Sequence, residues 1–151
     1  MTPEYRETVE IAKAGLRLAG GKPAAFGRFT GRKKTTYSWN ELVIKMWLDK
    51  HGIEYSHNQT FKDDAPSGFG RKMVTYEADF YCPRFSAIVE VDPLFHYKSG
   101  NEVTRRVMQN DDAKNRWAKE HGIHMIRVVA YPKPEDFAAE ILQKLGPLAR
   151  Y

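Results

Sequence analysis

Apolar positions keep helical spacing at both ends of the chain and strand-like runs through its middle. Val9, Ala12, Leu16 and Ala19 follow a helical repeat, with Thr2 as N-cap, Pro3 as first helical residue and Gly20-Gly21 as the stop. Residues 22–37 form a connector rich in Gly, Lys and Arg. Ser38-Trp39-Asn40-Glu41 then matches the capping box, serine at N-cap and glutamate three residues on. Trp39, Leu42, Val43, Met46 and Trp47 give one apolar face to the second helix, which Gly52 ends. Strands are predicted over 53–61, 72–82 and 85–92, with Pro83-Arg84 as the tight connection between the last two. A helix over 103–121, with Val103, Val107, Asp111, Lys114 and Ala118 inward, is ended by Gly122. His124–Tyr131 reads as a further strand, and Pro134 opens a last helix with Phe137, Ala138, Ile141, Leu142 and Leu145 inward. The predicted order is α, α, β, β, β, α, β, α in one α/β domain spanning 1–151. Residues 1–37 supply an N-terminal helix and basic arm, 38–131 the core and 132–151 a C-terminal helix.

Polar residues break this pattern in one place. Between Tyr76 and Tyr97, Asp79 follows a strand-like run, Glu90 and Asp92 sit two apart within AIVEVD, and His96 comes four residues later. Strand periodicity sends Glu90 and Asp92 to one face and Val89 and Val91 to the other. If the two runs pair, Asp79 joins the carboxylate face. Oxygen ligands on neighbouring strand ends suit Mg²⁺ or Mn²⁺. Asp111 and Lys114 also interrupt an apolar stripe, as expected where a helix passes a polar site.

Charge adds a partner class. The 151 residues carry a net charge of +5, and the pI is near 9.3. Arg28, Arg32, Lys33 and Lys34 lie in GRFTGRKKTTY with Phe29 and Tyr37 interleaved, Arg105 and Arg106 form a second cluster, and Lys114, Arg116 and Lys119 a third. Any one of these reads equally well as a solvated surface; three around an acidic site favour a polyanion ligand. The sole cysteine, Cys82, excludes internal disulfides and Cys-rich zinc sites, and reads as a buried inert thiol. No long apolar run or signal-like start is seen, so a cytoplasmic protein without a membrane partner is expected. Phosphate-binding glycine loops of the GxxxxGK[ST] and GxGxxG types are absent, as is GxSxG.

The α-β-β-β-α-β order from Ser38 to Tyr131, with acids on its second and third strands, resembles the PD-(D/E)XK nuclease fold. More narrowly the chain is similar to the Vsr-like (very-short-patch-repair-like) endonucleases, which carry an E, D, H, D set of site residues. The pieces that carry the likeness are Glu41 on the first core helix, Asp79 in YEADFY, and Glu90, Asp92 and His96 in IVEVDPLFH. The last is Asp111-x2-Lys114-x7-Gly122-x4-Arg127. About 95 residues are covered. The superfamily's lysine two residues after the glutamate is here Asp92, so either His96 or Asp92 takes its role.

The resemblance implies a restriction-endonuclease-like αβββαβ core, a mixed sheet flanked by helices, and a Mg²⁺- or Mn²⁺-dependent endodeoxyribonuclease. It implies Asp79, Glu90 and Asp92 as metal ligands. His96 relays a proton, Asp111 orients it or holds a water, and Glu41 completes the catalytic set. Lys114 and Arg127 are then expected at phosphate. From charge and aromatic content rather than from the resemblance, Arg28, Arg32, Lys33, Lys34, Arg105 and Arg106 are expected along the DNA backbone, and Trp39 or Phe29 at an opened base step. Cutting both strands calls for a homodimer or a second nick. Structural alternatives stand beside these roles: Asp79 as a cap of backbone amides, Glu90 as the partner of Arg127, Glu41 as a capping-box residue. The competing functions are a Holliday-junction or other structure-selective resolvase, a ribonuclease, and a non-catalytic DNA-binding subunit.

Overall fold

The computed structural model describes residues 2–18, 38–63, 74–93 and 112–150. Its elements run α1 (Pro3–Leu18), α2 (Trp39–Lys50), β1 (Ser56–Asp63), β2 (Val74–Cys82), β3 (Ala87–Pro93), α3 (112–120), β4 (His124–Ala130) and α4 (Pro134–Leu145). This is the order predicted from the sequence, and the fold is α/β. The strands form one sheet in the order β1-β2-β3-β4. β2 pairs antiparallel with both β1 and β3, and the sheet as a whole is mixed.

Element boundaries shift where the chain spends backbone groups on ending the element before. Thr2 Oγ1 accepts from the Tyr5 amide at 3.1 Å, the N-cap expected for α1. β1 begins at Ser56 rather than residue 53, because the Ile53 amide donates to Leu48 O at 3.0 Å while Gly52 takes φ 65°. That six-to-one bond is the Schellman closure of α2. α3 ends in the same way, Ile123 N bonding Ala118 O at 2.8 Å beside Gly122 at φ 69°. β3 starts at Ala87 because Pro83–Phe85 form a 3₁₀ turn and Ser86 adopts a left-handed φ of 49°.

The chain divides into two compact units. The first comprises residues 1–54, 91–94 and 127–151. Here α1 packs on α2 and on α4. α2 is buried over more than one stripe: Ile44 and Leu48 are sealed along with Trp39, Val43 and Trp47, whereas Leu42 and Met46 stay half-buried. Trp39 is 2% exposed and its ring lies 5.5 Å from that of Phe137 on α4. It is therefore a core residue, and the stacking role expected of it is withdrawn.

The second unit comprises residues 55–90 and 95–126. β1 and β2 pair in one constant register, from Ser56↔Tyr81 to Asp63↔Val74. Ala78, Ile88, Trp117 and Ala118 form its buried cluster, with Phe61, Tyr76, Tyr81, Ile123 and Met125 packed against it. Trp117, outside the stripe predicted for this helix, stacks near Phe61 (5.1 Å) and Tyr76 (5.3 Å). Cys82 is fully buried, as expected, and burial pushes its thiol up to about 11.

Candidate functional site

The predicted acids lie on the strands where the sequence put them, Asp79 on β2, Glu90 and Asp92 on β3. In the second unit the β2–β3 ladder runs through Cys82↔Ala87, Tyr81↔Ile88 and Phe80↔Val89. At the next position a side chain makes the rung: the Asp79 amide donates to Glu90 Oε2 at 3.1 Å. The other Glu90 oxygen, Oε1, pairs with the Lys114 ammonium, which also donates to the Glu77 carbonyl. Glu90 is 5% exposed. A carboxylate this deep within AIVEV needs charged or hydrogen-bonded compensation, and it has both. Asp79, Glu90 and Lys114 are thus brought together, and the partner of Glu90 is Lys114 rather than Arg127.

One residue of this neighbourhood was missed from the sequence. Asn58 on β1 has a left-handed φ of 57° in the middle of a strand. Its Oδ1 is buried and has no hydrogen-bond partner among the described residues. The rungs His57↔Phe80 and Gln59↔Ala78 on either side place it across from Asp79. A buried carbonyl oxygen without a donor calls for a water or an ion. Asparagine is the residue type, after glycine, that visits this backbone region most readily, so the sequence held a faint signal. Nothing in the alternation of SHNQTF distinguishes it from a solvated strand residue.

The first unit holds the remaining described candidates. Asp92 is 6% exposed, and Arg127 Nη1 lies 3.5 Å from Asp92 Oδ1 and 3.4 Å from Oδ2. One nitrogen, Nη1, reaches both oxygens at the long end of hydrogen bonding, an ion pair that neutralises Asp92. Glu41 is 3% exposed at the start of α2. Ser38 Oγ accepts from the Glu41 amide at 3.4 Å, the N-cap expected of it, and lies 2.8 Å from Glu41 Oε1, to which it donates. Lys114 and Arg127, expected at phosphate, both touch carboxylates. His96, Asp111, Arg28, Phe29, Arg32, Lys33, Lys34, Arg105 and Arg106 lie outside the described residues.

Asp79, Glu90 and Asn58 offer only hard oxygen donors, the set that suits Mg²⁺ or Mn²⁺. The Lys114 ammonium places a positive charge at the Glu90 carboxylate. Among the described residues no group of three or more His, Cys, Asp or Glu side chains converges as a ready-made metal cage. Of the other described histidines, His124 is exposed at the start of β4 and the remaining three pack against aromatic rings. His57 lies against Phe80 at 5.2 Å, His51 against Trp47 at 4.3 Å, and His121 against Trp117 at 4.8 Å. A groove of about 250 Å³ in the first unit is lined by Arg6 and Lys13 but equally by Glu10 and Glu135, and contains none of the predicted site residues. Among the described residues no helix is long and apolar enough to cross a membrane.

No protein-family model, no curated protein and no solved structure matches the chain.

Proposed function

We propose that the protein is a Mg²⁺- or Mn²⁺-dependent endodeoxyribonuclease of PD-(D/E)XK type, acting on DNA in the cytoplasm. The observation that carries this reading is the Glu90 carboxylate, nearly sealed from water where the β2–β3 ladder gives way to a side-chain rung at Asp79. Burying a carboxylate is costly, and a purely structural strand gains nothing from it that an apolar residue of similar size would not supply. Asp79 and Glu90 hold the cation, with Asn58 across the β1–β2 ladder from Asp79 and His96 as a further member of the set. When bound, the ion supplies positive charge to phosphate oxygens as the P–O bond breaks and lowers the pKa of the attacking water. Glu90 is held in place for this by the Asp79 amide, which fixes one oxygen and leaves the other to a cation. His96 passes the proton, its ordinary pKa being near neutrality. Arg28, Arg32, Lys33, Lys34, Arg105 and Arg106 track the phosphate backbone. One chain of this kind nicks one strand, and a homodimer cuts both.

The two ion pairs favour a second reading. With Glu90 on Lys114 and Asp92 on Arg127, a non-catalytic DNA-binding subunit has every described buried β3 charge neutralised without metal.

Nicking of supercoiled plasmid decides between them. The wild-type chain is expected to nick with Mg²⁺ or Mn²⁺ and to stop in EDTA, and Asp79→Ala is expected to slow nicking by roughly a hundredfold or more. Nicking that survives EDTA or the substitution removes the metal mechanism. DNA binding without nicking under any divalent ion selects the second reading. Branched and mismatched duplexes run beside linear DNA identify a structure-selective resolvase by its preference.

A further inference from the structure

We propose that Lys114 is a resident competitor for the divalent cation, an internal counter-ion that holds the site shut until an ion displaces it from Glu90. This rests on the reading of Asp79 and Glu90 as a cation site and goes beyond it by assigning the control of occupancy.

Three features of the second unit point this way. The Lys114 ammonium sits on one Glu90 oxygen while the Asp79 amide holds the other. Both Glu90 oxygens are therefore engaged, but only one of the two partners can leave. The amide belongs to the β2 backbone; the ammonium hangs on a flexible four-carbon stem. Second, the same ammonium donates to the Glu77 carbonyl. A lysine with a backbone acceptor beside its carboxylate has somewhere to remain when the carboxylate is taken, so displacement does not strand it. Third, the pair is buried unequally: the Lys114 side chain is 14% exposed and that of Glu90 6%. The cation partner has the shorter way to water.

Single-point lysine chemistry matters here. Arginine would grip both carboxylate oxygens with a planar fork and resist exchange. A lysine neutralises Glu90 in the empty protein, which keeps the strand folded, yet gives way to a doubly charged ion that neutralises it better. A divalent ion on Oε1 repels the ammonium already there, so each weakens the hold of the other, and the coupling is reciprocal. Once displaced from Glu90, Lys114 keeps the Glu77 carbonyl and leaves its charge at the edge of the site, where the sequence led us to expect a phosphate contact. Cation entry thus also arms the surface for a polyanion.

The test measures binding of Mn²⁺ alone to the full chain by titration calorimetry, without DNA. Lys114→Met keeps the length of the stem and removes the charge, and Lys114→Arg keeps the charge and strengthens its hold. Mn²⁺ should bind about tenfold tighter to the Met variant, within the usual size of a coupling between two sites. The Arg variant should bind it several-fold more weakly than wild type. Equal or weaker binding by the Met variant overturns the proposal. Should Lys114→Met fail to fold without metal, Lys114→Arg decides alone: binding as tight as wild type, or tighter, overturns it. Equal binding by all three chains rejects the exchange and leaves the cation site standing; no binding by any of them removes both.

Discussion

In the first unit Val43, Ile44, Trp47, Leu48, Phe137, Ile141 and Leu145 are all completely buried, contributed by α2 and α4, both of which pack on α1. The second unit reaches that degree of burial with smaller residues, Ala78, Cys82, Ile88, Val89 and Ala118, along with Phe80. Of its larger rings, Trp117 is buried and Phe61, Tyr76 and Tyr81 are only partly so. Both units also bury carboxylates, Glu90 with Lys114 in the second and Glu41, Asp92 and Glu140 in the first. What differs is the apolar packing around them. A helical core packed from Trp, Phe and Leu gains stability from every methylene it hides. The strand unit seals fewer large side chains, and it holds Glu90 at a fixed point between the Asp79 amide and Lys114.

The comparison breaks most readily at its aromatic anchors. Phe137→Ala removes a fully buried ring from the first unit and is expected to lower unfolding free energy by about 4 kcal/mol, the transfer and cavity costs together. Trp117→Ala removes a larger ring from the second unit, where its neighbours are half-exposed and can close over the gap; about 3 kcal/mol is expected. Urea denaturation of both variants gives the two numbers. A larger loss at Trp117 would mean that the second unit is the better packed of the two.

Buried acids sharpen the same contrast. Glu90 has a cationic partner, and Cys82, three residues along β2 from Asp79, is kept neutral by burial with its thiol pushed up to about 11. Below pH 9, thiol and unfolded reference are both protonated and the group contributes no pH dependence. Between about 9 and 11 the unfolded chain loses the proton that the folded chain retains, so the folded state becomes less stable as pH rises. Relative to Cys82→Ala, the wild type should lose about 2 kcal/mol from pH 8 to pH 11. Parallel stability curves for the two proteins across that range would show that Cys82 ionises freely and that the β2–β3 interior admits water.

How much of this was legible before the structure depends on the kind of information each residue carries. Element order was readable because Ser38, Gly52, Pro83, Gly122 and Pro134 punctuate the chain with backbone chemistry that is local. Asp79 and Glu90 were readable as a pair because a carboxylate inside an apolar run has few explanations. Their bond to each other through the Asp79 amide was not, since it depends on where the β2–β3 ladder stops. Lys114 and Arg127 were foreseen near the site but facing phosphate. Which carboxylate each chooses is a matter of register between distant elements, and no spacing rule contains it. In the sequence Trp39 fits both the apolar face of α2 and a ring able to stack on a base; its burial beside Phe137, far along the chain, decides for the first. Asn58 left only the faint signal of its residue type, for a left-handed residue inside a strand leaves no periodic trace.

The smallest expected effect tests how closely the helices of the first unit approach. The stripe predicted for α1 passed over Gly15, because a glycine offers no apolar side chain to count, yet Gly15 is buried. A Cβ built there would lie 2.5 Å from Val43 Cγ2. Val43 cannot swing aside: it is completely buried, and a β-branched residue in a helix has essentially one χ1 rotamer. Gly15→Ala should therefore force α1 and α2 apart at a cost of about 2 kcal/mol, offset by about 1 kcal/mol of improved helix propensity. The net loss of about 1 kcal/mol is small, but its sign depends on Val43. In a Val43→Ala background the clash disappears and the propensity gain remains, so the same Gly15→Ala step should turn from destabilising to stabilising. A double-mutant cycle by thermal or urea melting reads that reversal directly. If Gly15→Ala stabilises the chain with Val43 in place, the helices do not approach as closely as the structure has them, and the tight packing assigned to the first unit is wrong at its narrowest point.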